Sequence, residues 1–401
     1  MPALHHFIGA WKPATDLPVA RRLFAAMPIG GKILIAGGYP ATIVCYLYDP
    51  VSKQFSTTGE LPGTTYFASG AANTDNAYLV GGYISAAIAT VYKYNRVSAA
   101  WTTETALPAA TYSHSTTMLP NGKLLVCGGV TATVRTVNCY TANSLVTPLV
   151  WSAATPLPVA TYGHAACLLA DGRVFICGGA TTALTAASYL LSTDGLDWST
   201  AAPMPSARIY HQATLLSDGR VFVSGGVKDA LGNASDSCWI YDPATNSWVT
   251  TTPLPATLQQ HGQVKIGPDI MVIGGFSGFE PFSACYTRPD QQVLFTHKTR
   301  PTQYEREWLQ ESGKTTAGLP VAQLPYAKTI NIPFSWNNMP RTDKDRLLSF
   351  WDAMNGMATE FNAVYHDGTT IAGRFGVPEL TFTERSTDVF STTVPFLVIT
   401  P

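Results

Sequence analysis

Charge is scarce in this 401-residue chain: Asp, Glu, Lys and Arg together make up 13% of it, and the formal net charge is −1. So little charge offers no field to draw the protein to nucleic acid or an anionic membrane, and neither is expected as a partner. Long apolar runs are missing as well. None approaches the roughly 20 residues of a membrane-spanning helix, so membrane insertion is not expected. The opening MPALHHFIGAWKPATDLPVARR has no signal-peptide core. For that reason Asn233-Ala-Ser235, which matches a glycosylation sequon, carries no weight. Cysteines number seven, an odd count, and no CxxC occurs. Cys127 and Cys177 each precede a Gly-Gly inside an apolar run, which predicts buried free thiols made in a reducing compartment. GxSxG, HExxH and the P-loop pattern are absent. A surface with little charge must be covered with Thr, Ser, Ala, Asn and Gln, as in proteins that work as parts of assemblies.

What is present is a repeat. Gly-Gly pairs begin at Gly37, Gly81, Gly128, Gly178, Gly225 and Gly274, at spacings of 44, 47, 50, 47 and 49 residues. Each closes an apolar run such as KLLVCGG or RVFICGG that reads as a buried strand. A stricter marker runs beside it. An aromatic is followed six and seven residues later by Leu-Pro or Met-Pro, from Trp11, Phe55, Trp101, Trp151, Trp198 and Trp248. Thirteen residues after the aromatic stand Phe24, Ala68, His114, His164, His211 and His261. Asn121-Gly122, Asp171-Gly172 and Asp218-Gly219 sit between apolar runs and accept the positive φ of a tight hairpin. After each Gly-Gly a third strand carries Tyr, and the aromatic opens a fourth. Four antiparallel strands cannot bury both faces alone, so the units must stack, and stacking them radially makes a propeller.

Gly-Gly after a strand, Tyr several residues on, then Trp resembles the Kelch repeat over residues 1 to about 295. The fold class expected is therefore mainly β: a six-bladed Kelch-type β-propeller. Because the aromatic marker occurs at Trp11, before any Gly-Gly, the N-terminal stretch FIGAW is expected to supply the outermost strand of the blade holding Gly274-Gly275. Val293–Phe295 is the rival closing strand.

The repeat stops after Thr296. Residues 297–315 are rich in charge, and 296–315 reads as a connector. Residues 316–401 read as a small α+β domain. NIPFSW (331–336) reads as a strand, and Asp343–Met357 puts Leu347, Phe350, Trp351 and Met354 on one helical face. Phe361–His366, Thr370–Phe375, Glu379–Glu384 and Val389–Ile399 read as further strands. The succession MNGMATEF, HDGT and FGVPELTFTE resembles C-terminal domains of bacteriophage tail and baseplate proteins.

Function is read from both parts. The tail resemblance implies a virion component, made in the bacterial cytoplasm, whose partners are other tail or baseplate proteins. The C-terminal domain would anchor it, in a homo-oligomeric particle, and the propeller would project as a recognition or decoration module toward a host-surface glycan or protein. In Kelch propellers the segment leading into the innermost strand faces a central binding surface. By that resemblance Arg21, Tyr66, Tyr112, Tyr162, Arg208, Tyr210 and Gln260 would form a polar aromatic mouth suited to sugars or a protein patch. The alternative is a carbohydrate-processing enzyme, a sugar isomerase or a sialic-acid-type enzyme, on the same propeller. It would need a paired acid and base, and the acids near the mouth-side loops are few: Asp16, Glu60, Glu104 and Glu280. No catalytic residue is assigned, and no metal or cofactor is expected. The repeated histidines are read as hydrogen-bonding to neighbouring strands, since one zinc ion would need three or four ligands at about 2.0–2.1 Å.

Overall fold

A computed structural model of the protein describes the backbone of residues 5–9, 11–278, 280–289, 293–295, 329–340, 361–364, 370–375, 383–386 and 389–399, and side chains over 11–278 and 280–288. The chain divides into two units, Trp11–Arg288 and Met1–Ala10 with Pro289–Pro401.

Trp11–Arg288 is a six-bladed β-propeller of four-stranded antiparallel sheets. Blade 1 runs Ala25–Ile29, Lys32–Ala36, Cys45–Asp49 and Gln54–Thr58, from axis to rim. The innermost strands of blades 2 to 6 are Ser69–Ala72, Ser115–Met118, Ala165–Leu168, Gln212–Leu215 and Gly262–Ile266. These six inner strands neighbour one another in an unbroken circle, with Gly262–Ile266 beside Ala25–Ile29. No helix occurs among the described residues.

The core lies between the blades. Each hydrophobic cluster joins two adjacent sheets, as where Leu34 and Cys45 of blade 1 meet Leu79, Tyr94 and Trp101 of blade 2. The repeat markers are the parts of this interface. The indole N–H of Trp101, Trp151, Trp198 and Trp248 donates to a carbonyl of the blade before it, at Gly59 (2.9 Å), Thr105 (3.0 Å), Thr155 (3.3 Å) and Ala202 (2.9 Å). The Leu of Leu-Pro is buried, and its N–H latches the rim strand to the loop before the third strand, as Leu61 N to Ile43 O at 2.9 Å. The Pro after it has no N–H to place.

The ring closes with an N-terminal strand, but not with the stretch expected. His5–Gly9 pairs instead with Val293–Phe295 and Phe361–Val364 in the other unit. Lys12–Ala14 is the strand that completes blade 6, against Cys285–Thr287. The reason is the role of the aromatic. In the other repeats it opens the rim strand, so the residues after Trp11 enter the sheet and those before it do not. Val293–Phe295, the rival, closes no blade.

In the other unit a seven-stranded antiparallel sheet contains His5–Gly9, Val293–Phe295, Thr329–Pro340, Phe361–Val364, Thr370–Phe375, Thr383–Ser386 and Val389–Ile399. Thr329–Pro340 pairs along Val389–Ile399, with a register shift between Trp336 and Met339. The connector 296–315 and the helix expected at Asp343–Met357 lie outside the described residues.

Candidate binding site

The segment between one blade's rim strand and the next blade's inner strand carries the candidate site. Twelve residues after each marker aromatic stand Leu23, Phe67, Ser113, Gly163, Tyr210 and Gln260, all with φ between 54 and 62°. Their backbones form a closed circuit around the axis. Leu23 N donates to Gln260 O, Phe67 N to Leu23 O, Ser113 N to Phe67 O, Gly163 N to Ser113 O, Tyr210 N to Gly163 O and Gln260 N to Tyr210 O, at 2.8–3.2 Å. Left-handed backbone at a residue with a side chain costs about 1 kcal/mol or more. The hydrogen-bonded circuit holds five such residues in place.

Phe67 of blade 2 and Tyr210 of blade 5 come from opposite sides of the ring, and their ring centroids are 5.7 Å apart. They close the axis on this face. Beneath them a channel of about 230 Å³ is lined by the inner strands, including Ser115, Thr116, Gln212 and Gln263. Burial and neighbouring tyrosines push the Tyr210 hydroxyl up to about 12, so it stays protonated.

Above the plug lies a depression of about 470 Å³ lined by Tyr66, Tyr83, Tyr112, Tyr162, Tyr210 and Phe67, with Val130, Thr133 and Arg135. Its rings form a connected set: Tyr66–Tyr83 at 5.7 Å, Tyr83–Tyr112 at 5.1 Å, Phe67–Tyr112 at 5.9 Å and Tyr162–Tyr210 at 6.5 Å. The positions are set by bridges to the residue after each Gly-Gly, Tyr66 with Tyr83, Tyr112 with Val130 and Tyr162 with Ala180. Of the residues expected at the mouth, Tyr66, Tyr112, Tyr162 and Tyr210 are brought together here. Gln260 sits on the axis, where its side-chain oxygen accepts from Arg22 Nη1 at 3.2 Å and it lines the channel.

Arg21 and Arg208 are placed elsewhere, and their expected binding role is corrected. Each is 1% exposed. Arg21 donates to Gly37 O (3.3 Å) and Val44 O (3.0 Å) and lies 4.9 Å from the Tyr46 ring. Arg208 donates to Gly225 O (2.7 Å) and Ser237 O (3.2 Å) and lies 3.6 Å over Trp239. Thr65 and Thr111 occupy the same repeat position and donate to Gly81 O (3.2 Å) and Gly128 O (3.4 Å). The arginines therefore do the threonines' work: they satisfy the Gly-Gly turn from within.

Phe67, Tyr83, Thr133 and Arg135 were not singled out by the sequence. Tyr83 had a signal, since it follows Gly81-Gly82 as Tyr39 follows Gly37-Gly38. Arg135 had none, because it lies on a hairpin with no counterpart among the repeat markers.

The repeated histidines fill the interfaces and do not converge. His164 Nε2 pairs with Ser115 Oγ at 2.9 Å, His261 Nε2 with Ser224 Oγ at 3.0 Å, and His211 Nε2 approaches Cys177 Sγ at 3.5 Å. Among the described residues no group of three or more His, Cys, Asp or Glu could hold a metal ion. Burial drives His164 down to about 4 and His114 and His261 to about 3. The unfolded chain thus takes up protons that the native chain refuses between these values and about 6.5, so stability falls as pH drops through that window. Each such histidine removes roughly 2 kcal/mol by pH 5. Thermal unfolding from pH 7 to pH 4.5 should show Tm falling steeply, and His164→Asn should flatten the fall. A Tm level across that range would contradict the neutral-histidine assignment.

Of the acids expected near the mouth, Glu104 is turned into the structure. Glu104 is held by Lys93 Nζ at 3.6 Å and accepts from Leu149 N at 3.3 Å. Among the described residues no carboxylate lines the depression.

No curated protein matches the chain. A family model described as the Attractin/LZTR1 beta-propeller matches residues 29–283, from the first inner strand into the third strand of blade 6. The propeller formed over these residues agrees with that match, and the chain belongs to the Attractin/LZTR1 β-propeller family.

Proposed function

We propose that the protein is a recognition component rather than an enzyme, and that its tyrosine-lined mouth binds a glycan. One observation carries this reading. The depression has five tyrosines and a phenylalanine in contact with one another and, among the described residues, no carboxylate in its lining. Aromatic faces edged with hydroxyls suit the apolar and polar faces of a sugar ring. Without a paired acid and base there is no means of moving a proton to or from the bound sugar. The wider setting is proposed from the sequence of 316–401: a phage tail or baseplate component, anchored through that part and assembled with copies of itself and other tail proteins.

Tyr112→Ala and Tyr162→Ala test the mouth. Each should weaken binding on a glycan array at least tenfold. Tyr112→Ala should leave Tm within about 2 °C, since that ring belongs to no interblade cluster. Tyr162→Ala should also lower Tm by a few degrees, since Tyr162 packs against Ala180, Ile209 and Val227 between blades 4 and 5. Particles built with these variants should contain normal amounts of the protein, because the mouth is not assigned to anchoring. Turnover of a bound sugar, or full binding by both variants, would defeat the reading.

A further inference from the structure

The mouth is rich in hydrogen-bond donors and poor in acceptors that need them. Tyr66 spends its hydroxyl on Ile84 O at 2.9 Å. Those of Tyr83, Tyr112 and Tyr162 have no hydrogen-bond partner among the described residues. Arg135 is exposed and makes no ion pair among them. It is nonetheless firmly placed. Arg135 pairs with Val130 across a two-stranded ribbon, and Val130 is bonded to Tyr112 in both directions, N to O at 2.9 Å and O to N at 3.2 Å. The backbone of Arg135 is thus tied through Val130 to that of Tyr112, and its side chain lines the same depression. The Tyr112 hydroxyl, desolvated and close to those of Tyr83 and Tyr162, is held above the ordinary phenol value and remains a donor at any physiological pH.

From this we infer that the mouth selects an acidic glycan, with Arg135 and the free phenols of Tyr83, Tyr112 and Tyr162 receiving a carboxylate or sulfate of the sugar. The inference rests on the glycan reading above. A guanidinium with no acidic neighbour among the described lining residues supplies the two parallel donors that a carboxylate or sulfate accepts. Phenol donors around it complete the anion's coordination, and the aromatic floor takes the sugar ring. The volume, about 470 Å³, falls in the range of small-ligand sites. An acidic peptide is the weaker fit, because the depression offers no strand edge or groove to pair its backbone.

Calorimetry on the full chain with lactose, sialyllactose and 6-sulfated lactose tests this, at 50 mM and 300 mM salt. The acidic sugars should bind at least tenfold tighter than lactose at low salt, with the difference shrinking at high salt. Arg135→Gln, a change on an exposed ribbon, should bring the acidic sugars down to the level of lactose, and Arg135→Lys should keep part of the preference. The carboxylated and sulfated arms separate the two anion chemistries. Equal binding of neutral and acidic sugars, or a preference that survives Arg135→Gln, overturns the acidic assignment and leaves glycan recognition standing. A glutamate-rich peptide that displaces the acidic sugars and binds tighter than they do overturns it in favour of a protein partner. Absence of binding by all three sugars overturns the glycan reading and the inference together.

Discussion

Gly178→Ala should cost the propeller about 4 kcal/mol, although it adds a single methyl group. An alanine Cβ there would lie 2.5 Å from His211 Cε1, 2.6 Å from Met204 Cε and 2.8 Å from the carbonyl oxygen of Arg208. That carbonyl is backbone of the next blade, and it accepts from Gly179 N at 2.8 Å. It cannot step aside without opening the interface. The residue also has φ of 64°, which a side chain disfavours. Gly195 separates the two costs. Its φ is 77°, but nothing lies within 4 Å of where its Cβ would be. Gly195→Ala should therefore lose only about 1 kcal/mol, from backbone strain alone. Denaturant unfolding of both variants measures the difference. If the two fall equally, close approach of the blades is not what Gly178 serves.

Arg208→Met should cost about 3 kcal/mol and leave sugar binding untouched. The substitution keeps much of the apolar stem over Trp239 but removes the donors to Gly225 O and Ser237 O. A buried carbonyl left without its partner costs on the order of 1–3 kcal/mol. Gly225 O is exposed to that loss, while Ser237 O keeps Gly225 N at 3.2 Å, and the cation–π contact with Trp239 is lost besides. Burial lowers Arg208 to about 10, still well above neutral, so the side chain remains charged and its loss is felt in full. Urea unfolding and calorimetry on the same preparation decide the matter. A variant as stable as the parent that no longer binds sugar would return Arg208 to the binding site.

The two arginines show where a sequence stops being readable. Their repeat position was plain, and so was its nearness to the axis, because the interval from the marker aromatic is constant in all six copies. What a side chain does at a given position depends on the direction of its Cβ, and a linear pattern does not carry that. Arg21 and Arg208 share a column with three threonines, and the task of capping a Gly-Gly carbonyl that they share with Thr65 and Thr111 is visible only when donor and acceptor are seen together. The left-handed residues on the axis were hidden for another reason: only Gly163 among them is glycine, so five showed no sign of positive φ. Blade number and the buried cysteines were legible because each follows from periodicity or apolarity, which burial imposes on every copy. Arg135 and Tyr83 belong to the loops after Gly-Gly, where length and composition vary from blade to blade and no register ties one copy to another.

Blade 6 takes three strands from the end of the propeller sequence and its rim strand, Lys12–Ala14, from the beginning. During synthesis the first residues emerge long before their partners Cys285–Thr287 exist. Five blades can form and stack in the order in which they leave the ribosome. The sixth cannot be completed until the chain has been made through Thr287. Through that interval the growing arc carries two open flanks, one on blade 1 and one on the latest blade, each with an interblade apolar face uncovered. Joining them is a contact between the extremes of the sequence, the slowest kind of loop to close. The same arrangement makes the finished ring resistant to fraying, because neither end of the propeller sequence can peel away without breaking the blade that the other end holds.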